Sequence, residues 1–99
     1  MSNAEINLAI VKIEYPDRDW LLRKDGSIAH GYDYCNMWSD IGPIIERERI
    51  ELNYYEYGSH PSGGEWLAVR YSSIKYYEAK CDSPIKAAAL CYLKMKGVK

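Results

Sequence analysis

Residues 50–55, Ile50-Glu51-Leu52-Asn53-Tyr54-Tyr55, decide the fold. Ile50, Leu52 and Tyr54 alternate with Glu51, Asn53 and Tyr55, the two-residue period of a strand with one face buried. Upstream the apolar spacing is helical, so the chain changes class here and reads as α+β. Downstream, the stretch from Gly58 to Gly64 also holds Ser59, Pro61 and Ser62, the composition of a turn or longer hairpin loop. Trp66 to Tyr71 and Ile74 to Ala79 then predict two further strands, with Leu67, Val69 and Tyr71 on one face of the first. Three successive strands connect most simply as an antiparallel meander.

The strands are bounded by helices. Ser83 is an N-cap, Pro84 occupies the first helical position, and Gly97 stands where a left-handed residue ends a helix. Between them Ile85, Ala88, Ala89, Tyr92 and Met95 make a broad apolar stripe with Lys86 and Lys94 opposite, and the alanines allow close approach to the sheet. Before the strands, Ser39 or Asp40 caps a helix in which Ile41, Ile44 and Ile45 share a face, Pro43 lies in the first turn, and Glu48 is near the end. A first helix from Glu5 to Glu14 carries Ile6, Ala9, Ile10 and Ile13 on one stripe and stops before Pro16. Between these two, Trp20 to Arg23, Asp25-Gly26 and Ser27-Ile28-Ala29 suggest a small hairpin, and His30 to Trp38 a packed loop. The expected fold is a small layered α-β-α domain, a short antiparallel sheet with two to three packed helices, formed by residues 1–99 as a single domain. Residues 1–4 are read as an expression remnant or disordered.

Composition narrows function by exclusion. Thirteen lysines and arginines against 14 acids leave a formal net charge of -1, so no domain-wide field draws the chain to nucleic acid. The sequence contains no run of 18 apolar residues and no basic-then-apolar leader, which points away from membranes and export and toward the cytoplasm of the cell. Cys35, Cys81 and Cys91 are three in number with no C-x-x-C pair, so they read as reduced, partly buried thiols, with neither a disulfide framework nor a closed zinc site.

Four pieces of the sequence, in order, resemble the small NinX-like proteins of lambdoid phages: Asp33-Tyr34-Cys35-Asn36; Gly42-Pro43-Ile44-Ile45-Glu46 with Arg49-Ile50; Trp66; and Ser83-Pro84-Ile85-Lys86-Ala87-Ala88-Ala89. The likeness spans Glu5 to Gly97, with Ser83 where the family more usually has asparagine, another helix-capping residue. It implies a phage or prophage accessory protein with an α-β-α domain. It implies no particular chemistry, the family being one of unknown function.

The residues themselves give little ground for catalysis. Cys35 with His30 or His60 is the one nucleophile-base pairing that can be drawn, and nothing in the spacing supports it. Glu46 and Glu48 fall in a charged run with Arg47 and Arg49 that reads as a solvated helix end. His30, Asp33 and Cys35 lack a fourth metal ligand. No catalytic residue, metal or cofactor is therefore expected, and the chain is read as a non-enzyme. The Asp33-Tyr34-Cys35-Asn36 loop reads first as a fold feature, its polar ends bonding nearby backbone while Tyr34 and Cys35 pack.

The aromatic residues carry the functional expectation. Ten tyrosines and three tryptophans accompany no phenylalanine at all. Tyr54, Tyr71 and Tyr92 are assigned to the core or its edge. Tyr55 and Tyr57 fall on the face away from Ile50 and Leu52, Arg70 shares a face with Trp66, and Tyr77 follows in the third strand. Such residues build protein interfaces, and they also stack unpaired bases. The expected binding residues are Tyr55, Tyr57, Trp66, Arg70 and Tyr77, and the expected partner is a host or phage protein. A homodimer through the same sheet face is one form of this, and single-stranded nucleic acid is the alternative. Glu51, Glu56, Glu65 and Glu78 on the same strands weigh against the alternative.

Overall fold

The change of period at Ile50 is where helices give way to sheet in a computed structural model that describes residues 2–17, 32–55 and 64–98. Among the described residues the order is α1 (Asn3–Glu14), α2 (Trp38–Glu48), β1 (Glu51–Tyr55), β2 (Glu65–Tyr71), β3 (Tyr76–Cys81) and α3 (Pro84–Met95). This is the expected α+β class, with a three-stranded antiparallel sheet in the order β1-β2-β3. The expected Trp20–Ala29 hairpin, Tyr57, His30 and His60 lie outside the described residues.

α1 starts earlier than the apolar pattern indicated. Ser2 accepts from the Glu5 amide while the Glu5 carboxylate accepts from the Ser2 amide, a reciprocal capping box that makes Asn3 and Ala4 helical. The buried stripe is Ile6, Asn7, Ile10 and Val11, so the expected stripe through Ala9 and Ile13 is rotated toward a buried asparagine. α2 also begins early, at Trp38, because the Asp40 carboxylate does not cap its own helix. It accepts instead from the Asp33 amide at 2.9 Å and ties the preceding loop to the first turn.

The end of α2 turns through Arg49, whose φ of 56° is left-handed, and the Ile50 amide reaches back to the Ile45 carbonyl at 3.0 Å. An L side chain pays a steric cost in this conformation that glycine avoids. Arg49→Gly is accordingly expected to raise stability by about 0.5–1 kcal/mol, read as a higher urea midpoint at unchanged m value.

β1 pairs Leu52 with Ala68, and β2 pairs Ala68 with Ala79, placing these three in one cross-strand row. That row faces α3, which buries Ile85, Ala87, Ala88, Ala89, Cys91, Tyr92 and Leu93. The helix is covered far beyond a single stripe because α1 and α2 also pack on it. One buried cluster joins Ile6, Ile10 and Val11 of α1, Ile41 and Ile44 of α2, the α3 residues, Ala68 and Ala79. Leu67 and Val69 are buried too, on the opposite side of the sheet and outside that cluster.

The third strand begins at Tyr76 where Ile74 was expected. Ser72 explains the shift: its hydroxyl accepts from the Lys75 amide at 2.8 Å, and its own amide donates to the Lys75 carbonyl, closing a tight turn over residues 72–75. Ile74 sits at the tip of that turn, 89% exposed.

The three helix ends are joined by a polar clamp. Arg47 donates two parallel hydrogen bonds to Glu14 at 2.9 and 3.0 Å, and the Tyr92 hydroxyl donates to the same carboxylate at 2.7 Å. Glu48 accepts from Arg47 Nε, and Lys96 lies near both Glu48 and the Tyr92 ring. Burial pushes the Glu14 carboxyl up, but the Arg47 and Tyr92 hydrogen bonds outweigh it and hold the carboxyl below its ordinary value of 4.5. A depressed carboxyl stabilises the fold above its unfolded value and loses that contribution as pH falls through the folded one. Wild-type stability should therefore decline below about pH 4.5, and Glu14→Gln should flatten this decline while costing about 1–2 kcal/mol at pH 7, both measurable by urea titration.

Candidate functional site

Two structural regions correspond to the motifs that the sequence singles out. The first is the Asp33-Tyr34-Cys35-Asn36 loop. Asn7, buried in α1, donates to Asp33 Oδ1 at 3.1 Å and accepts from the Cys35 amide at 3.2 Å. Asn36 donates to both oxygens of Asp33, and the Met37 amide donates to the Asp33 carbonyl. Tyr34 and Cys35 are buried, and the Tyr34 ring stacks on Tyr32, which in turn meets Tyr15. Burial first, and the Asp33 charge second, push the Cys35 thiol up to about 11, which keeps it protonated and poorly nucleophilic at neutral pH. The loop is tied inward to α1 and α2, as its structural reading requires.

The second region is the sheet, where the antiparallel register sorts the side chains by face. Trp66, Arg70 and Tyr77 share the α3 side with Leu52, Ala68 and Ala79. Trp66 and Tyr77 are half-buried and pack against the core, Trp66 also meets Tyr54 with ring centroids 5.1 Å apart, and Arg70 bonds the Tyr71 carbonyl. Tyr55 lies on the opposite, outward side. The structure therefore does not bring Tyr55, Trp66, Arg70 and Tyr77 onto one surface. Alternation along each strand shows which residues share a face; it does not show which of them are covered, and on the outward side Leu67 and Val69 are buried while Tyr55 is exposed.

On the outward side Tyr55 is accompanied by Tyr71 and Tyr76, neither of which was expected there. Tyr71 is 58% exposed, which corrects its assignment to the core or its edge; Tyr54, 45% exposed, stands on the α3 side against Trp66, and Tyr92 is buried. The reason is position: Tyr71 is the last residue of β2 and lies on the face turned away from α3, and Tyr54 is one residue from the end of β1. Tyr71 and Tyr76 are a cross-strand pair with centroids 5.1 Å apart, and the Tyr76 hydroxyl donates to Glu78 at 2.7 Å. That hydrogen bond, with a smaller burial contribution, raises the Tyr76 phenol to about 12. The same face carries Glu51, Glu65, Glu78 and Lys80, so charges of both signs surround the rings.

Among the described residues no group of three or more histidine, cysteine, aspartate or glutamate side chains is placed to hold a metal ion. No helix among them is long and apolar enough to cross a membrane.

An α+β domain built on an antiparallel meander, with three helices among the described residues and tyrosines on its outer sheet face, is the class of protein defined by this geometry. The same fold occurs in the crystal structure of a phage protein from Bacillus cereus ATCC 14579, with a TM-score of 0.68 at 10% identity, covering 100% of this chain and 91% of that one. Residues 1–96 match the family described as Bacteriophage P22, NinX, and the chain belongs to that family, as the Asp33–Asn36 and Ser83–Ala89 motifs implied. No curated protein matches the chain.

Proposed function

We propose that this NinX-family protein is an accessory protein that acts by binding another protein, of the host or of the phage, inside the host cell, and that it performs no catalysis of its own. The observation that carries this reading is the outward sheet face, where Tyr55, Tyr71 and Tyr76 are each half exposed or more. Large, rigid rings with a polar tip are the residue type that concentrates affinity at protein interfaces, at modest entropy cost on docking. Acids and a lysine around them suit a protein surface of mixed charge. A nucleic-acid backbone would meet three carboxylates here, and Arg70, the cation expected beside the aromatics, lies on the α3 side.

The loop supports a binding role over a catalytic one in a second way. Its thiol is buried and its aspartate is committed to Asn7 and Asn36, so neither is poised to act on a substrate.

The test is capture from nuclease-treated host lysate on the immobilised chain, comparing wild type with a Tyr55→Ser/Tyr71→Ser/Tyr76→Ser variant whose fold is verified by circular dichroism. A protein retained by wild type and lost at least about tenfold from the variant is the expected result, since truncating clustered interface aromatics costs about 1–2 kcal/mol or more each. Retention equal in both would refute the assignment of this face. Binding of fluorescent single-stranded DNA or RNA that weakens steeply with rising salt would favour the nucleic-acid reading instead.

A further inference from the structure

The outer edge of β3 has a defined set of backbone groups. The Ser72 amide donates to the Lys75 carbonyl, so residues 72 and 75 are a hydrogen-bonded pair, and pairs then alternate along the hairpin. Arg70 with Tyr77 and Ala68 with Ala79 are hydrogen-bonded pairs, whereas Tyr76, Glu78 and Lys80 direct their amides and carbonyls away from β2. Among the described residues no strand pairs with that edge. An edge of this kind is a template for another strand unless something blocks it. Here the Glu78 carbonyl, at the centre of the edge, accepts from the Lys94 ammonium of α3 at 2.6 Å.

The strand that this edge suits best is its own copy. In an antiparallel pairing with Ala79 opposite Ala79 of a second chain, Glu78 faces Lys80 and Lys80 faces Glu78, giving two opposite-charge cross-strand pairs on one side of a continuous six-stranded sheet. A pairing centred one residue earlier would set Glu78 against Glu78. The favoured register needs the Glu78 carbonyl to accept from the Lys80 amide of the second copy, and this is the acceptor that Lys94 occupies. We infer that Lys94 is a gate on the β3 edge, holding the chain apart from a second copy that would otherwise pair through Glu78 and Lys80.

Sedimentation equilibrium of the full chain at high micromolar concentration tests this. Wild type and Lys94→Arg, which keeps a donor, should remain monomeric, and Lys94→Met should self-associate at least about tenfold more tightly, the equivalent of roughly 1.4 kcal/mol. Adding Lys80→Glu to Lys94→Met should abolish the dimer by placing like charges opposite each other, and adding Glu78→Lys as well should restore it. Lys94 is exposed, and circular dichroism establishes that each variant is folded. The inference is overturned if Lys94→Met stays monomeric, if its dimer is indifferent to the Lys80 and Glu78 exchanges, or if wild type already dimerises through this edge. Each of these outcomes is independent of whether the tyrosine face binds a partner.

Discussion

Replacing Asn7 with leucine is expected to lower the stability of the fold by about 2–4 kcal/mol, although the two side chains are similar in size. Asn7 is 1% exposed and serves two elements at once, donating to Asp33 and accepting from the Cys35 amide. Leucine would leave the Cys35 amide buried with no acceptor and remove one of the donors that hold the Asp33 carboxylate. An unmade buried hydrogen bond costs far more than a made one contributes, which is why the loss should be several times that of an ordinary surface change. Asn36→Ala is the internal control: Asn36 is exposed, Asp33 keeps Asn7, and water can take its place, so the cost should stay below about 1 kcal/mol. Urea unfolding of the two variants side by side checks both numbers. Equal, small effects would mean that the loop is not held by α1.

Ala68→Leu should be comparably damaging for the opposite reason, an excess of volume. Ala68 is fully buried in the row Leu52-Ala68-Ala79 beneath α3, and the helix meets this sheet with Ala87, Ala88 and Ala89 in its buried surface. Small residues on both sides set a short helix-sheet distance. Three added carbons would have to displace α3, which α1 and α2 hold from behind, so the strain has little room to relax. A loss of about 2–3 kcal/mol is expected, seen as a fall in Tm of roughly 10–20 °C. Lys80→Leu, on an exposed position of the outward face, adds apolar volume without that constraint and should change stability little.

The parts of the fold that were legible in the sequence are those governed by local chemistry. Ser83, Pro84 and Gly97 delimit α3 because a cap, a preset φ and a left-handed terminus act over a few residues. β1 and β2 follow directly from alternation. Errors of boundary occurred where a side chain was engaged at a distance: Asp40 bonds the Asp33 amide in place of a cap, and Ser72 closes a turn that displaces β3 by two residues. A polar residue at a core position, Asn7, rotated the buried stripe of α1, since periodicity counts asparagine as surface. Glu14, Arg47 and Tyr92 lie far apart in sequence, so the charged run at the end of α2 gave no sign that it closes the domain.

The site was half legible. Alternation sent Tyr55 to the side away from Leu52, and the register agrees. It could not say that α3 lies over Trp66, Arg70 and Tyr77, or that Tyr71 and Tyr76 stand exposed on the other face while Leu67 and Val69 of that face are buried. Exposure is a property of the neighbouring layer, and the strand's own pattern does not encode it.

Photocrosslinking in the host cell tests the central claim most directly. With benzoylphenylalanine in place of Tyr76 on the outward sheet face, irradiation should give a discrete protein adduct of the chain. The same group in place of Asn36, on the outer side of the loop, should give none. An adduct from position 36 with none from position 76 would place the binding surface on the loop and contradict the assignment of the tyrosine face.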